Sequence, residues 1–269
     1  MMNMGALVAL YGDKPARVAH LISECQAQIT SMAGSAFQPY ELRQVHATIV
    51  GIGQPNASWS NERFYKYYGR HVQRNFDGFF HFLRNSGRFP FQIQVGGFQE
   101  RDYPFVSRGT KPYERSFNLQ AGKAVVMGWP IRGTPITKQN LTMTDLIHES
   151  HIYPKTLDEI RQSLKGFGFL HDYFQRLEDI DNDFYFRIGL YDPALLPESK
   201  QQLIEKGMHD FLRDLEPVII EITLSDLYLA FSDKETLPID STKVLSVSDP
   251  NVAADSIMHI YDDQNLKGE

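Results

Sequence analysis

The chain has 269 residues, 42% of them hydrophobic, 22% charged and 12% aromatic, which is enough for a sizeable core and too apolar for a disordered chain. Its 27 basic and 33 acidic residues give a net charge of −6, which argues against a broad basic face for duplex DNA, and the single Cys25 excludes an internal disulfide framework or thiolate zinc cluster. No run reaches the ~18 apolar residues that span a bilayer, so a cytoplasmic protein without a membrane partner is expected.

Residues 4–10 are apolar and follow no basic segment, so they read as a first strand rather than a signal peptide. Residues 14–33 place Val18, Leu21, Ile22, Cys25 and Ile29 at helical spacing, with Pro15 where a first turn tolerates it. After the turn at Gln38-Pro39, residues 42–52 read as a second strand that ends at Gly51 and Gly53. Residues 55–90 suit one or two helices whose aromatics build core. Phe91-Gln92-Ile93-Gln94-Val95 alternates as a half-buried strand and closes at Gly96-Gly97. A loop rich in Arg and Tyr follows, then a strand over 123–129 and a polar connection over 130–142. Residues 145–171 read as helix broken at Pro154 and restarted at Thr156. Residues 184–190 are strand-like, 198–213 helical, and 217–231 strand-like again.

Several connections between strands are too short or irregular for repeated βαβ units, which predicts an α+β fold with mainly antiparallel sheet. The expected organisation is one two-lobed domain over 1–235, with lobes near 1–130 and 131–235, and a C-terminal extension over 236–269. The sequence does not set the oligomeric state.

The stretch richest in chemistry is Val45-His46-Ala47-Thr48-Ile49-Val50. Strand alternation puts His46 and Thr48 on one face. An imidazole beside a hydroxyl can hold a phosphate, and an imidazole can move a proton near neutral pH. A His-x-Thr triplet by itself equally suits a satisfied histidine in a sheet.

The order strand, helix, then Leu42-Arg43-Gln44-Val45-His46-Ala47-Thr48-Ile49-Val50-Gly51 resembles the two-histidine phosphoesterases, the superfamily of the 2′-5′ RNA ligase-like proteins. Phe91-Gln92-Ile93-Gln94-Val95-Gly96-Gly97-Phe98 is similar to the next strand of that family, and Ala124-Val125-Val126-Met127-Gly128 to the one after. The resemblance spans residues 5–232. It implies two pseudo-symmetric lobes with outer helices, a central cleft, and a second His-x-Thr/Ser strand facing the first. The matching stretch is Phe184-Tyr185-Phe186-Arg187-Ile188-Gly189-Leu190, where Arg187 and Gly189 replace the histidine and threonine. Arginine stays protonated and cannot serve as general acid or base, though it can grip a phosphate oxygen.

Three readings of that departure follow: a phosphate binder with little catalysis, a metal-independent phosphodiesterase using His46, Thr48 and a group from elsewhere, or a different partner histidine. The ligand implied by the resemblance is a nucleotide or an RNA terminus carrying a 2′-5′ or cyclic phosphate, with Arg187 stabilising charge. An α+β interaction protein unrelated to that family is the alternative.

Elsewhere, His151-Ile152-Tyr153 and His259-Ile260-Tyr261 are candidates for the missing partner. His148 and His151 share a helical spacing but lack a third ligand, so no metal and no cofactor are expected. His71 and His81 lie among aromatics and suit core or boundary roles. The loop 107–117 offers Arg108, Lys111, Tyr113 and Arg115 for phosphate contacts and base stacking, or for internal salt links. Gly96-Gly97 does not lead into a phosphate-cradling helix, and no nucleophile elbow is present.

Overall fold

The computed structural model describes residues 4–53, 62–134, 152–171, 180–257 and 260. The chain runs through β1 (Met4–Ala9), α1 (Ala16–Ala33), β2 (Phe37–Pro39), β3 (Ala47–Gly51), α2 (Glu62–Tyr68), α3 (Phe76–Asn85) and β4 (Phe91–Val95). It continues through α4 (Pro112–Arg115), β5 (Phe117–Gln120), β6 (Lys123–Ile131), a helix Thr156–Gly166 that we label α5, β7 (Phe184–Tyr191), a helix Glu198–Asp214 labelled α6, β8 (Val218–Ile222), β9 (Leu227–Ser232) and β10 (Lys243–Ser246).

All strands join one sheet ordered β10-β9-β1-β3-β7-β6-β4-β8, with β2 also paired to β7 and β5 to β6. Every one of these pairings is antiparallel, in keeping with an α+β fold of mainly antiparallel sheet. The order is symmetric about the β3/β7 junction, with four strands on each side. Each inner strand follows its outer neighbour and a helix in the chain: β1, α1, β3 in one half and β6, α5, β7 in the other.

Alternation along the strands explains the layering. Leu7 and Ala9 of β1, Ala47 and Ile49 of β3, Phe184, Phe186 and Ile188 of β7, and Ile93 and Val95 of β4 are all buried in the main core. That core is closed by Val18, Leu21, Ile22 and Cys25 of α1, Phe79 and Leu83 of α3, Leu157, Ile160 and Leu164 of α5, and Ile204, Met208 and Leu212 of α6. The four longer helices therefore cover one face, the outer one of both halves. Each large apolar side chain buried there contributes about 1.5–3 kcal/mol relative to exposure.

Three expectations change. The halves do not divide at residue 130, because β4 and β6 lie beside β7 while β9 returns to pair with β1. The part of the expected C-terminal extension that the structure describes joins the domain: β10 extends the sheet beyond β9, and Val247, Val252, Ile257 and Ile260 enter the main core. The predicted strand over 42–52 is also shorter. Residues 41–45 form a turn closed by Gln44 N–H and Val45 N–H donating to the Glu41 carbonyl, and pairing resumes at Ala47.

Candidate functional site

The sheet face away from the long helices carries two small apolar clusters. One contains Phe98, Val125, Met127, Trp129, Tyr153 and Tyr185, and the other Val8, Tyr11, Ala230 and Leu237. Between them the inner strands present polar side chains: His46 and Thr48 from the β3 segment, and Tyr185 and Arg187 from β7.

β7 pairs with β2 through Pro39↔Gly189 and accepts a hydrogen bond from Tyr40 N–H at Ile188, then pairs with β3 at Ala47↔Phe186. Arg187 thus lies opposite the base of the 41–46 turn, beside His46. The Arg187 charge is felt at the imidazole, which is 4% exposed and touched edge-on by Tyr11. His46 Nδ1–H donates to the Gln44 carbonyl at 2.8 Å, which leaves the lone pair on Nε2. Burial lowers the His46 pKa to about 4; the Gln44 hydrogen bond opposes this, and Arg187 and Lys14 add to it.

Gly189 has a structural reason to stand where threonine is expected. A Cβ there would lie 2.6 Å from the Gln38 carbonyl oxygen and 2.5 Å from the Phe37 ring, so the close approach of β2 admits only glycine.

Sequence reading missed three charged members of this site. Glu235, from the loop between β9 and β10, accepts from Arg187 at 2.8 Å and pairs with Lys123. Partial burial would raise its carboxyl, but Lys123 and Arg187 outweigh that and hold it below the usual carboxylate range. The same loop is tied down by Gln44 Nε2 donating to the Thr236 carbonyl at 2.7 Å and Tyr11 hydroxyl donating to the Leu237 carbonyl at 3.0 Å. Half-buried Lys14 donates to the Gly12 carbonyl, and burial lowers its pKa to about 8 with the Arg43 charge assisting against Asp13. Lys14, Lys123 and Glu235 lie far apart in sequence and carry no motif.

On the Thr48 side, β3 and β7 separate, and Arg161 of α5 fills the gap. Its guanidinium donates to the carbonyls of Ile49 (2.8 Å), Thr48 (3.0 Å), Asp181 (2.9 Å) and Asp183 (3.0 Å), and to the Asp181 carboxylate at 3.0 Å. Asp181 also pairs with His171 Nδ1 at 2.5 Å, and His171 Nε2 lies 3.3 Å from the Tyr185 hydroxyl. Burial alone would raise the Asp181 carboxyl, yet Arg161 and His171 outweigh it and hold it far below the usual range. His171 is thus a second buried imidazole on the polar strip. Its spacing from β7 gave no signal in the sequence.

The basic loop divides. Ser107 and Thr110 close a tight turn by mutual backbone hydrogen bonds, and Arg108 and Arg115 line a small cavity of about 10 Å³ with Tyr185, His171 and Asp183. Lys111 instead pairs with Asp102 at 2.9 Å on the surface, and Tyr113 donates to Asp210 of α6 at 2.7 Å, so neither lies in the cavity. His71 stacks on Tyr65, and His81 receives a side-chain contact from Asn85 within α3. His148, His151 and His259 lie outside the described residues. Among the described residues, no group of three or more His, Cys, Asp or Glu could hold a metal ion, and no helix is long and apolar enough to cross a membrane.

No family model matches the chain, and no curated protein matches it in sequence.

Proposed function

We propose that this polar strip binds a phosphate of a nucleotide or of an RNA terminus, with His46 and Arg187 contacting it from the two halves of the sheet. The observation that carries this is the convergence of Arg187 and Lys123 on one carboxylate, Glu235, beside His46. A carboxylate and a phosphate accept from the same guanidinium donors, so an incoming phosphate replaces Glu235 on those cations. The resemblance to two-histidine phosphoesterases points to the same ligand class.

Binding is favoured over turnover. Arg187 cannot exchange a proton, and an imidazole whose pKa is about 4 is a weak base at neutral pH. A second reading, hydrolysis of a 2′-5′ or cyclic phosphodiester, rests on the lone pair at His46 Nε2.

Titration calorimetry with adenosine 3′-monophosphate tests both. Arg187→Ala is expected to weaken binding by ~10-fold or more, the scale of a lost charge-assisted hydrogen bond, while Glu235→Gln tightens it severalfold. Equal affinities for wild type and Arg187→Ala would rule the phosphate site out. Turnover of adenosine 2′,3′-cyclic phosphate that disappears in His46→Ala would establish the hydrolytic reading instead.

A further inference from the structure

We propose that the cavity at the far end of β6 binds a zwitterionic dipeptide, its free amino group on Glu221 and its carboxylate on Arg132. This site is separate from the phosphate site. Ile131, on its floor, lies six residues beyond Val125, the partner of Arg187, which is roughly 20 Å along the strand.

The cavity has a volume of about 360 Å³, within the range of pockets that hold small ligands. Its floor is a row across three strands: Glu221 of β8, Gln92 of β4 and Ile131 of β6. The register sets these three side by side, on the sheet face away from the long helices. Arg132 and Thr156 complete the polar lining.

The polar groups around this cavity are unengaged. Among the described residues, the side chains of Arg132, Glu221, Gln92 and Thr156 make no hydrogen bond, and Arg132 and Glu221 form no ion pair with each other or with any third residue. The other cation on the cavity, Arg88, is already neutralised by Glu159. The N–H groups that open α5 are also occupied, because Asn182 Oδ1 accepts from Leu157 N–H and Asp158 N–H at 3.2 Å each. The cavity is therefore no general anion site. It offers one guanidinium, one carboxylate, an amide and a hydroxyl, which match the carboxylate, the ammonium and the peptide group of a short peptide.

Both charges stand on fixed backbone. Glu221 is paired within the sheet to Gln92, and Arg132 N–H donates to the Ile152 carbonyl at 2.7 Å. The wall at Pro154 is fastened by Asn182 Nδ2 donating to its carbonyl at 3.0 Å. Glu221 and Ile131 are two strand spacings apart, roughly 10 Å. A dipeptide spans ~7 Å when extended, so its two ends meet side chains that reach inward from that separation. A single amino acid carries both charges on one carbon and brings no peptide group to Gln92 and Thr156.

The test is an amide chemical-shift titration with alanyl-alanine, with N-acetyl-alanyl-alanine, which lacks the ammonium, and with alanyl-alanine amide, which lacks the carboxylate. The wild type is expected to bind alanyl-alanine ~5-fold or more tighter than either capped form, the scale of a charge contact partly open to water. Glu221→Gln should abolish the preference over the N-acetyl form and keep the preference over the amide, and Arg132→Gln should do the reverse. Both side chains are exposed, so neither change disturbs the fold. Equal wild-type affinities for the three peptides, or no shift of the Gln92 and Arg132 amides with any of them, would overturn the site. So would a Glu221→Gln variant that still rejects the N-acetyl form.

Discussion

His46 is held as the neutral imidazole in the folded protein, and this has a measurable signature. Its pKa is about 6.5 in an unfolded chain and about 4 when folded, so between these values the unfolded chain takes up a proton that the native state refuses. Stability from this residue is therefore complete above about pH 6.5 and is lost as pH falls toward 4, by up to ~3 kcal/mol. Glu235 and Asp181 have lowered pKa values, so their contributions are lost only at more acidic pH. Urea unfolding from pH 8 to pH 4 should show the decline in the wild type and a flatter profile in His46→Asn; identical slopes would remove the burial account. Strand alternation in the sequence suggested a shared face for His46 and Thr48, whereas in the structure only Thr48 lies in β3 and His46 is positioned by the turn that precedes it. Arg187 and Gly189 could be read from the sequence only as the residues standing where a resemblance implies histidine and threonine. The reason for Gly189 was not legible, since it depends on Phe37 and Gln38 arriving from another part of the chain.

At the level of elements, α5 shows how a sequence pattern can be right and incomplete. Leu157, Ile160 and Leu164 mark its buried stripe at helical spacing. Arg161, four residues after Leu157 and three before Leu164, falls on that same stripe; it is 3% exposed and satisfies backbone carbonyls of β3 and of the segment leading into β7. Replacing it with Met should cost about 3–5 kcal/mol, because several buried acceptors and the Asp181 carboxylate lose their donor at once. The check is the unfolding free energy in urea. A loss below ~1 kcal/mol would mean that β3 and β7 do not depend on the guanidinium to bridge their gap. β3 was predicted too long for a related reason. Residues 42–46 have strand-like composition, but the Glu41 carbonyl captures the N–H groups of Gln44 and Val45 in a turn.

At the scale of the whole molecule, the antiparallel α+β class was legible from short strands and irregular connections. The division into halves was not, because strand pairing across long sequence separations leaves no local trace. β9 pairs with β1, β10 pairs with β9, and Val247, Val252, Ile257 and Ile260 add to the main core. Ile257, fully buried, belongs to the same core as α1 and α6. Ile257→Ala should therefore destabilise the entire domain by roughly 2–5 kcal/mol in a single transition. If thermal unfolding stayed unchanged, the C-terminal segment would be an independent appendage. The junction where β7 turns from β2 to β3, with Ala47 alone paired to Phe186, has a mechanical meaning as well. It is a seam, and His46 and Arg187 stand on its two sides. A ligand touching both is a clasp across that seam, so occupancy and cohesion become one quantity, written in the hydrogen-exchange rates of β3 and β7.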